Sequence, residues 1–128
     1  MGIFNKLFGS TQKGVEHSKL PWKNLIDIER LNVVEERSNN KLQVIFKHST
    51  RCGISSMVKR QFEKQFPLDL DIDLYYLDLL KYREVSNQVA AKFNVKHESP
   101  QLLIIKGGKV IKHASHGQIN DLNLKIFV

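Results

Sequence analysis

The chain of 128 residues has little of what marks several large classes of protein. Its single cysteine, Cys52, excludes an internal disulfide framework and fits a reducing compartment. It has no apolar run long enough to span a bilayer, and residues 1–10 lack the long apolar core of a secretory signal. We therefore expect a cytoplasmic protein that does not contact membranes.

Motifs of hydrolytic, metal and nucleic-acid chemistry are also missing. No two carboxylates have a spacing that suggests hydrolysis, and the spacings between Cys52 and the histidines match no metal motif. The formal net charge is +7, but the basic residues are scattered and not interleaved with aromatic residues as in a stacking platform. We expect no bound metal ion, no tightly bound cofactor and no nucleic-acid partner.

The length suffices for one domain with a hydrophobic core, and the hydrophobic fraction of 41% is ordinary for a globular protein. We predict a flexible leader over residues 1–20, with an amphipathic tip around Phe4 and Phe8, and one domain over residues 21–128.

Strand and helix patterns alternate along this domain. Strands are predicted at residues 22–26, 41–48, 70–78, 102–105 and 110–112. Helices are predicted from Asp27 to Arg37, from Cys52 to Phe66, over residues 81–93 and over 122–127, the last after a loop at 113–117. Gly107 and Gly108 indicate a two-residue hairpin. This order predicts an α/β fold with a mixed central sheet and helices on both faces.

Cys52 stands where the second predicted strand gives way to a helix. It therefore lies at the carboxyl edge of the sheet, where such folds place their sites. A helix N-terminus favours the thiolate, and Lys47 and Arg51 add positive charge nearby. The alternative is a buried structural cysteine, which is a common state of free cysteines.

Three positions after Cys52, where a two-cysteine redox motif has its second thiol, the sequence has Ser55. A hydroxyl cannot form a disulfide, so another thiol must release any mixed disulfide that Cys52 forms. Residues 52–55 are therefore a monothiol motif.

Residues 22–127 resemble the thioredoxin superfamily. The resemblance rests on the monothiol motif after a buried strand, on the hairpin, and on the pattern Asn87, Ala90, Phe93, Val95 before Ser99 and Pro100. It implies a thioredoxin-like fold in which a cis Pro100 faces Cys52 and the preceding backbone pairs with a bound thiol ligand.

Within the superfamily the sequence resembles the monothiol bacilliredoxin family. Four motifs carry this resemblance: residues 46–55, the set Arg83, Ser86 and Asn87, residues 97–101, and residues 115–117. Phe46 replaces the buried acid of thioredoxins, which serves a second cysteine, and this agrees with Ser55. Gly53 departs from the proline of some members and resembles monothiol glutaredoxins, which bind iron–sulfur clusters.

The resemblance implies a monothiol thiol-disulfide oxidoreductase that removes bacillithiol from protein mixed disulfides through Cys52. Its partners would be bacillithiolated proteins, with bacillithiol as the thiol co-substrate and bacillithiol or another redoxin resetting Cys52. Two alternatives stay open: an iron–sulfur cluster carrier that uses Cys52 and external thiols, and a non-catalytic thioredoxin-like binding module.

The same resemblance gives a set of residues that would support the thiolate or the ligand: Lys47, His48, Thr50, Arg51, Gly53, Ser55, His97, Glu98, Ser99, Pro100 and His116. Several have plainer interpretations. Lys47 and Arg51 could be solvated charges, and His48 a packed neutral histidine. Glu98 could anchor its loop, and Ser55 could cap its own helix turn. We expect Ser86 and its neighbours to fix the third helix to the adjacent loop.

Overall fold

The computed structural model describes residues 20–128, so almost all of the predicted leader, with Phe4 and Phe8, lies outside the described residues. Within them the strands are β1 (Lys23–Asn24), β2 (Leu42–His48), β3 (Ile72–Asp78), β4 (Gln101–Lys106) and β5 (Lys109–Ser115). The α-helices are α1 (Ile28–Arg37), α2 (Gly53–Gln65) and α3 (Arg83–Phe93), and two 3₁₀ helices follow, His116–Asp121 and Leu124–Ile126. None of these helices is long and apolar enough to cross a membrane.

The strands form one mixed sheet in the order β1-β3-β2-β4-β5. β1 and β2 run parallel to β3, whereas β4 is antiparallel to both β2 and β5. Lys47 near the end of β2 pairs with Gln101 at the start of β4. The carboxyl end of β2 and the segment that enters β4 therefore meet at one edge of the sheet.

Both faces of the sheet are covered, as predicted. Phe46 packs with Phe62 of α2 and with Ile119 of the first 3₁₀ helix. Ile45 faces the other way, against α1 and α3. Successive side chains of a strand point to opposite faces, and here both faces are apolar. This explains why every residue of β2 is buried and why the strand has a nearly continuous apolar sequence.

The helix ends follow local chemistry. The Asp27 side chain accepts a 2.8 Å hydrogen bond from the Arg30 N–H, which caps α1 as predicted. Cys52 is the N-cap of α2, with extended backbone angles. α3 ends at Asn94, whose positive φ of 54° forms a left-handed cap.

The turn of the β4–β5 hairpin is tied to the end of α1. Gly107 and Gly108 have φ angles of 62° and 79°, which a tight hairpin turn requires and which glycine adopts without strain. The N–H of Gly107 donates to the backbone oxygen of Ser38 at 2.8 Å, and that of Gly108 donates to the Ser38 Oγ at 2.8 Å. Ser38 itself is buried.

Two predictions at the C-terminal end are wrong. Residues 113–115 are not a loop, because β5 continues to Ser115 and stays paired with β4. The predicted final helix over residues 122–127 is instead a short 3₁₀ helix, Leu124–Ile126, which begins with a hydrogen bond from the Lys125 N–H to the Asn123 side chain. The other 3₁₀ helix, His116–Asp121, begins within the predicted loop. The apolar residues at 122, 124 and 126 alternate, and this spacing does not line one face of an α-helix.

Candidate active site

Cys52 lies half-buried at the N-terminus of α2, as predicted, and is not a fully buried structural cysteine. A tight turn places it there: the Cys52 N–H donates to Ser49 O at 3.1 Å, and Cys52 O accepts from the Ser56 N–H at 3.1 Å. The cysteine side chain makes no capping hydrogen bond. The sulfur therefore lies beside the positive end of a helix and does not serve as its cap.

Ser55 joins the first turn of α2 to the end of β2. Its side chain is buried, and its Oγ lies 2.8 Å from Nδ1 of His48. The same oxygen accepts a 3.2 Å hydrogen bond from the Ser49 N–H. Ser55 therefore does not cap its own helix turn; it fixes the loop that carries Cys52.

His48 is a packed histidine. It is buried, and its ring lies 5.7 Å from the ring of Tyr76 and 6.5 Å from that of Phe46. Burial lowers the pKa of His48, and the positive charge of Lys59 lowers it further against the opposing effect of two carboxylates. The ring is therefore neutral at neutral pH, which agrees with the plainer interpretation.

Lys47 is wholly buried, so its interpretation as a solvated charge is wrong. Its Nζ lies 3.2 Å from the backbone oxygen of Ser86 on α3 and 3.2 Å from Nδ1 of His97. Burial lowers the pKa of Lys47 to about 8. At neutral pH this is a mostly charged ammonium held by two neutral groups inside the domain.

His97 belongs to the same polar cluster. Ser86 Oγ lies 3.3 Å from its Nδ1, so Ser86 fixes α3 to the adjacent loop, as predicted. Burial lowers the pKa of His97, and the charges of Lys47 and Arg83 lower it further, while Glu98 opposes them. A neutral ring is favoured here as well.

Glu98 and Pro100 complete the segment that enters β4. A hydrogen bond from Ser115 lowers the pKa of Glu98, and His116 and other basic groups nearby lower it further. This contact fits the interpretation of Glu98 as a loop anchor. The bond between Ser99 and Pro100 is cis, as the resemblance implied.

The backbone of residues 97–99 is open. In the part of the chain that the structure describes, no backbone hydrogen bond involves His97, Glu98 or Ser99. Pairing resumes at Pro100, whose oxygen accepts a 3.0 Å hydrogen bond from the His116 N–H. The Ser99 Oγ is also buried, and no hydrogen-bond partner for it lies within the described part of the chain. A free stretch of backbone thus lies at the sheet edge to which β2 delivers Cys52.

The remaining predicted residues line the exposed rim of this edge. Thr50 and Arg51 precede Cys52, and both are exposed. Gly53 is exposed too, and a Cβ built on it would meet no atom within 4 Å. His116 has an exposed side chain and a φ of 57°, and it meets the segment before β4 through its backbone.

A second polar cluster, which no motif of the sequence indicates, surrounds Asp73. This carboxylate is 4% exposed and accepts hydrogen bonds from Gln43, Lys23 and Arg37 at 2.8–3.0 Å, while Lys41 lies 3.1 Å away. Burial alone would raise the pKa of Asp73, but these donors hold it well below its usual range. Asp73 pairs with Gln43, whereas the Cys52 loop follows His48 at the far end of β2. The cluster is therefore remote from Cys52.

The described residues contain no group of three or more histidine, cysteine or acidic side chains that could hold a metal ion. The chemistry available at this edge is that of one sulfur at a helix N-terminus, an open backbone segment and basic side chains.

Comparisons with known proteins agree with this arrangement. The model of the family described as monothiol bacilliredoxin BrxC matches residues 23–124. A solved structure described as a candidate oxidoreductase with a thioredoxin fold is 39% identical, with a TM-score of 0.67; the match covers 77% of this chain and 86% of that one.

Two thioredoxins share the fold at lower identity. The one from Malassezia sympodialis is 19% identical over 86% of this chain and 91% of its own, with a TM-score of 0.67. The thioredoxin NaTrxh from Nicotiana alata is 22% identical over 93% of this chain and 96% of its own, also with a TM-score of 0.67. Both matches support the thioredoxin-like architecture.

Proposed function

This chain belongs to the monothiol bacilliredoxin family, and we propose that it removes bacillithiol from protein mixed disulfides through Cys52. The family and the thioredoxin-like fold support a thiol oxidoreductase role in general. One observation carries the finer proposal: the only cysteine lies half-buried at a helix N-terminus, and three positions after it stands a buried serine that is already hydrogen-bonded.

The proposed reaction is one thiol–disulfide exchange. The Cys52 thiolate attacks the bacillithiol sulfur of the mixed disulfide, and a new disulfide forms between Cys52 and bacillithiol. The old bond breaks, and the client sulfur leaves as a thiolate that takes up a proton. Two electrons pass from Cys52 to the client, so the client cysteine is reduced and Cys52 is oxidised.

Ligand binding uses the groups around Cys52. The open backbone of residues 97–99 can pair with an extended ligand or client segment, as an added strand does. Arg51 is exposed next to Cys52 and suits the malate carboxylates of bacillithiol. Lys47 is not available for this contact, because its ammonium is held by Ser86 and His97.

A second thiol must complete the cycle. Ser55 cannot attack the mixed disulfide, so bacillithiol or another redoxin attacks it and releases the Cys52 thiolate. Such a cycle requires a compartment in which small thiols are kept reduced, and we place it in the cytoplasm on this ground.

The test is intact mass spectrometry after the protein is mixed with a bacillithiolated client. We expect the client to lose the mass of bacillithiol and the protein to gain it on Cys52, while a Cys52→Ser variant leaves the client modified. If the client is stripped equally well by Cys52→Ser, the proposal is wrong. If nothing moves although Cys52 alkylates rapidly, the thiol is reactive and bacillithiol is the wrong ligand.

A further inference from the structure

The open segment before β4 is held in place by side chains. The ring of His97 is bound by Lys47 and Ser86. The backbone oxygen of Lys96 accepts a 2.9 Å hydrogen bond from the Gln101 side chain. No backbone ladder fixes residues 97–99 in the described structure. The position of this segment therefore depends on a few side-chain contacts, of which the His97 contact lies nearest its middle.

The contact between Lys47 and His97 has only one possible direction. An ammonium donates hydrogen bonds and accepts none. The Nδ1 of His97, 3.2 Å from the Lys47 Nζ, must therefore be the acceptor and carry a lone pair. The ring proton is on Nε2, and the contact exists only while the ring is neutral.

We propose that Lys47 is a positioning residue that holds the segment before Pro100 through neutral His97, and that protonation of His97 releases this segment and weakens substrate binding. The inference rests on the proposed function, because it assigns the segment of residues 97–99 to substrate binding. In this proposal Lys47 acts through His97, and does not itself contact the Cys52 thiolate or the carboxylates of the ligand.

The groups that face His97 make its protonation costly. β2 contributes the charge of Lys47, α3 contributes that of Arg83 and the neutral Ser86, and the loop itself contributes Glu98. Two cations thus oppose one carboxylate, and Ser115 already hydrogen-bonds that carboxylate. A proton on Nδ1 would remove the acceptor of Lys47 and place a third positive charge beside it, so the ring must move away.

Besides Ser86 and His97, a further acceptor faces the buried ammonium across the sheet. Gln101 lies directly opposite Lys47 in the sheet, and its buried Oε1 has no hydrogen-bond partner among residues 20–128. Once His97 leaves, Lys47 can donate to this oxygen instead. The cluster therefore has two arrangements, one with the segment held and one with it released, and the protonation state of His97 selects between them.

The decisive variant is His97→Asn, because asparagine can place an acceptor near Nδ1 but does not titrate. At pH 7.5 we expect His97→Asn to retain more of the parent's kcat/KM for the bacillithiolated client than His97→Leu does, because asparagine keeps an acceptor for Lys47. As the pH falls through the range in which the His97 ring is protonated, we expect the KM of the parent for the client to rise and the KM of His97→Asn not to rise.

Two further variants remove the contact itself. His97→Leu and Lys47→Met should each lower kcat/KM roughly tenfold at pH 7.5, chiefly by raising KM, because a hydrogen bond to a charged group is lost. His113→Asn, which changes an exposed histidine of β5, is the matched control and should keep the rise of KM in acid that the parent shows.

A measurement without substrate separates this inference from the proposed function. In an NMR pH titration of the whole chain, the amides of Glu98 and Ser99 should shift with the same midpoint as the His97 ring. The shifts should vanish in His97→Asn, and the midpoint should rise in Lys47→Met. If the amides do not follow the ring, or if the KM of His97→Asn rises in acid as that of the parent does, the inference is wrong. If the amides follow the ring but no client is reduced, the coupling stands and the proposed function fails.

Discussion

The Oγ of Ser55 and the Nδ1 of His48 lie 2.8 Å apart, at the position of the motif where a two-cysteine redox protein has its second thiol. The hydroxyl also accepts the Ser49 N–H, so it joins the strand, the loop and the helix around Cys52. The residue that makes this a monothiol motif thus has a structural use of its own.

Replacing Ser55 by alanine should therefore destabilise the protein. Ser55→Ala leaves the Nδ1 of buried His48 and the Ser49 N–H without their partner, and we expect the free energy of unfolding to fall by about 1–2 kcal/mol. Urea denaturation measures this. Ser56→Ala, next along the helix and half-buried, should change the free energy by less than about 0.5 kcal/mol. If Ser55→Ala and Ser56→Ala lower the free energy of unfolding equally, the hydrogen bonds of Ser55 do not stabilise the fold as proposed.

Gly53 should accept proline. It is the first residue of α2, where proline is favoured, and no atom lies within 4 Å of a Cβ built there. Cys52 already has the extended backbone that a residue before proline requires. Gly53→Pro should raise the free energy of unfolding by about 0.5–1 kcal/mol, because the unfolded chain loses freedom.

Gly107 is the contrasting position for that experiment. Its Cβ position is equally open, but its φ of 62° is unfavourable for other residues. Gly107→Ala should therefore lower the midpoint of thermal unfolding, whereas Gly53→Pro raises it. A lower midpoint for Gly53→Pro would show that the backbone at residue 53 is not free to take a proline.

The cluster around Asp73 should account for part of the acid sensitivity of the fold. Asp73→Asn should lower the free energy of unfolding by about 2 kcal/mol at pH 7. This is less than is typical of breaking a fully buried ion pair, because two of the three cations that contact Asp73 are about half exposed. The pKa of Asp73 is lowered, so its contribution is complete above pH 4 or so and is lost as the pH falls further.

The comparison of Asp73→Asn with Asp71→Asn isolates this effect. Asp71 also contacts Lys41, but its side chain is 81% exposed, so its loss should cost less than about 1 kcal/mol. Unfolding followed from pH 7 to pH 2 should show a flatter acid limb for Asp73→Asn than for the parent or for Asp71→Asn. If the free energy of unfolding of Asp73→Asn falls in acid as steeply as that of the parent, Asp73 is not a source of the acid sensitivity.

Lys47 should make the protein gain stability in mild alkali. Its pKa is about 8 in the fold against 10.5 ordinarily, so the unfolded chain binds more protons between these two values. The free energy of unfolding therefore rises with pH across this window, relative to a Lys47→Met variant that cannot titrate. Lys96→Met, at an exposed lysine, should retain the rise. A parent and a Lys47→Met variant with the same dependence on pH would contradict the prediction.

The order of the main elements could be predicted from the sequence because each one carries its own local signal. Asp27 caps α1, Gly107 and Gly108 make the hairpin turn, and the strand-to-helix change places Cys52 at the N-cap of α2. These features depend on neighbours along the chain. The C-terminal 3₁₀ helices could not be predicted, because a short run of alternating apolar residues has no clear helical period.

The polar clusters could not be predicted in the same way. Lys47 sits two residues after buried Ile45 and shares its face, but a lysine near a strand end usually extends its ammonium to water. Its burial depends on His97 and on the backbone of α3, both distant in sequence. The partners of Asp73 likewise come from different elements: Lys23 lies in β1, Gln43 in β2, and Arg37 and Lys41 between the end of α1 and the start of β2.

The attachment of the hairpin turn to Ser38 has a consequence for the order in which amides exchange with deuterium. Amides at a surface turn normally exchange early, because nothing but water competes for them. Those of Gly107 and Gly108 are donated to a buried residue at the end of α1. They can be released only when α1 and the hairpin separate, so these two glycines should report the opening of the whole α1 face of the sheet.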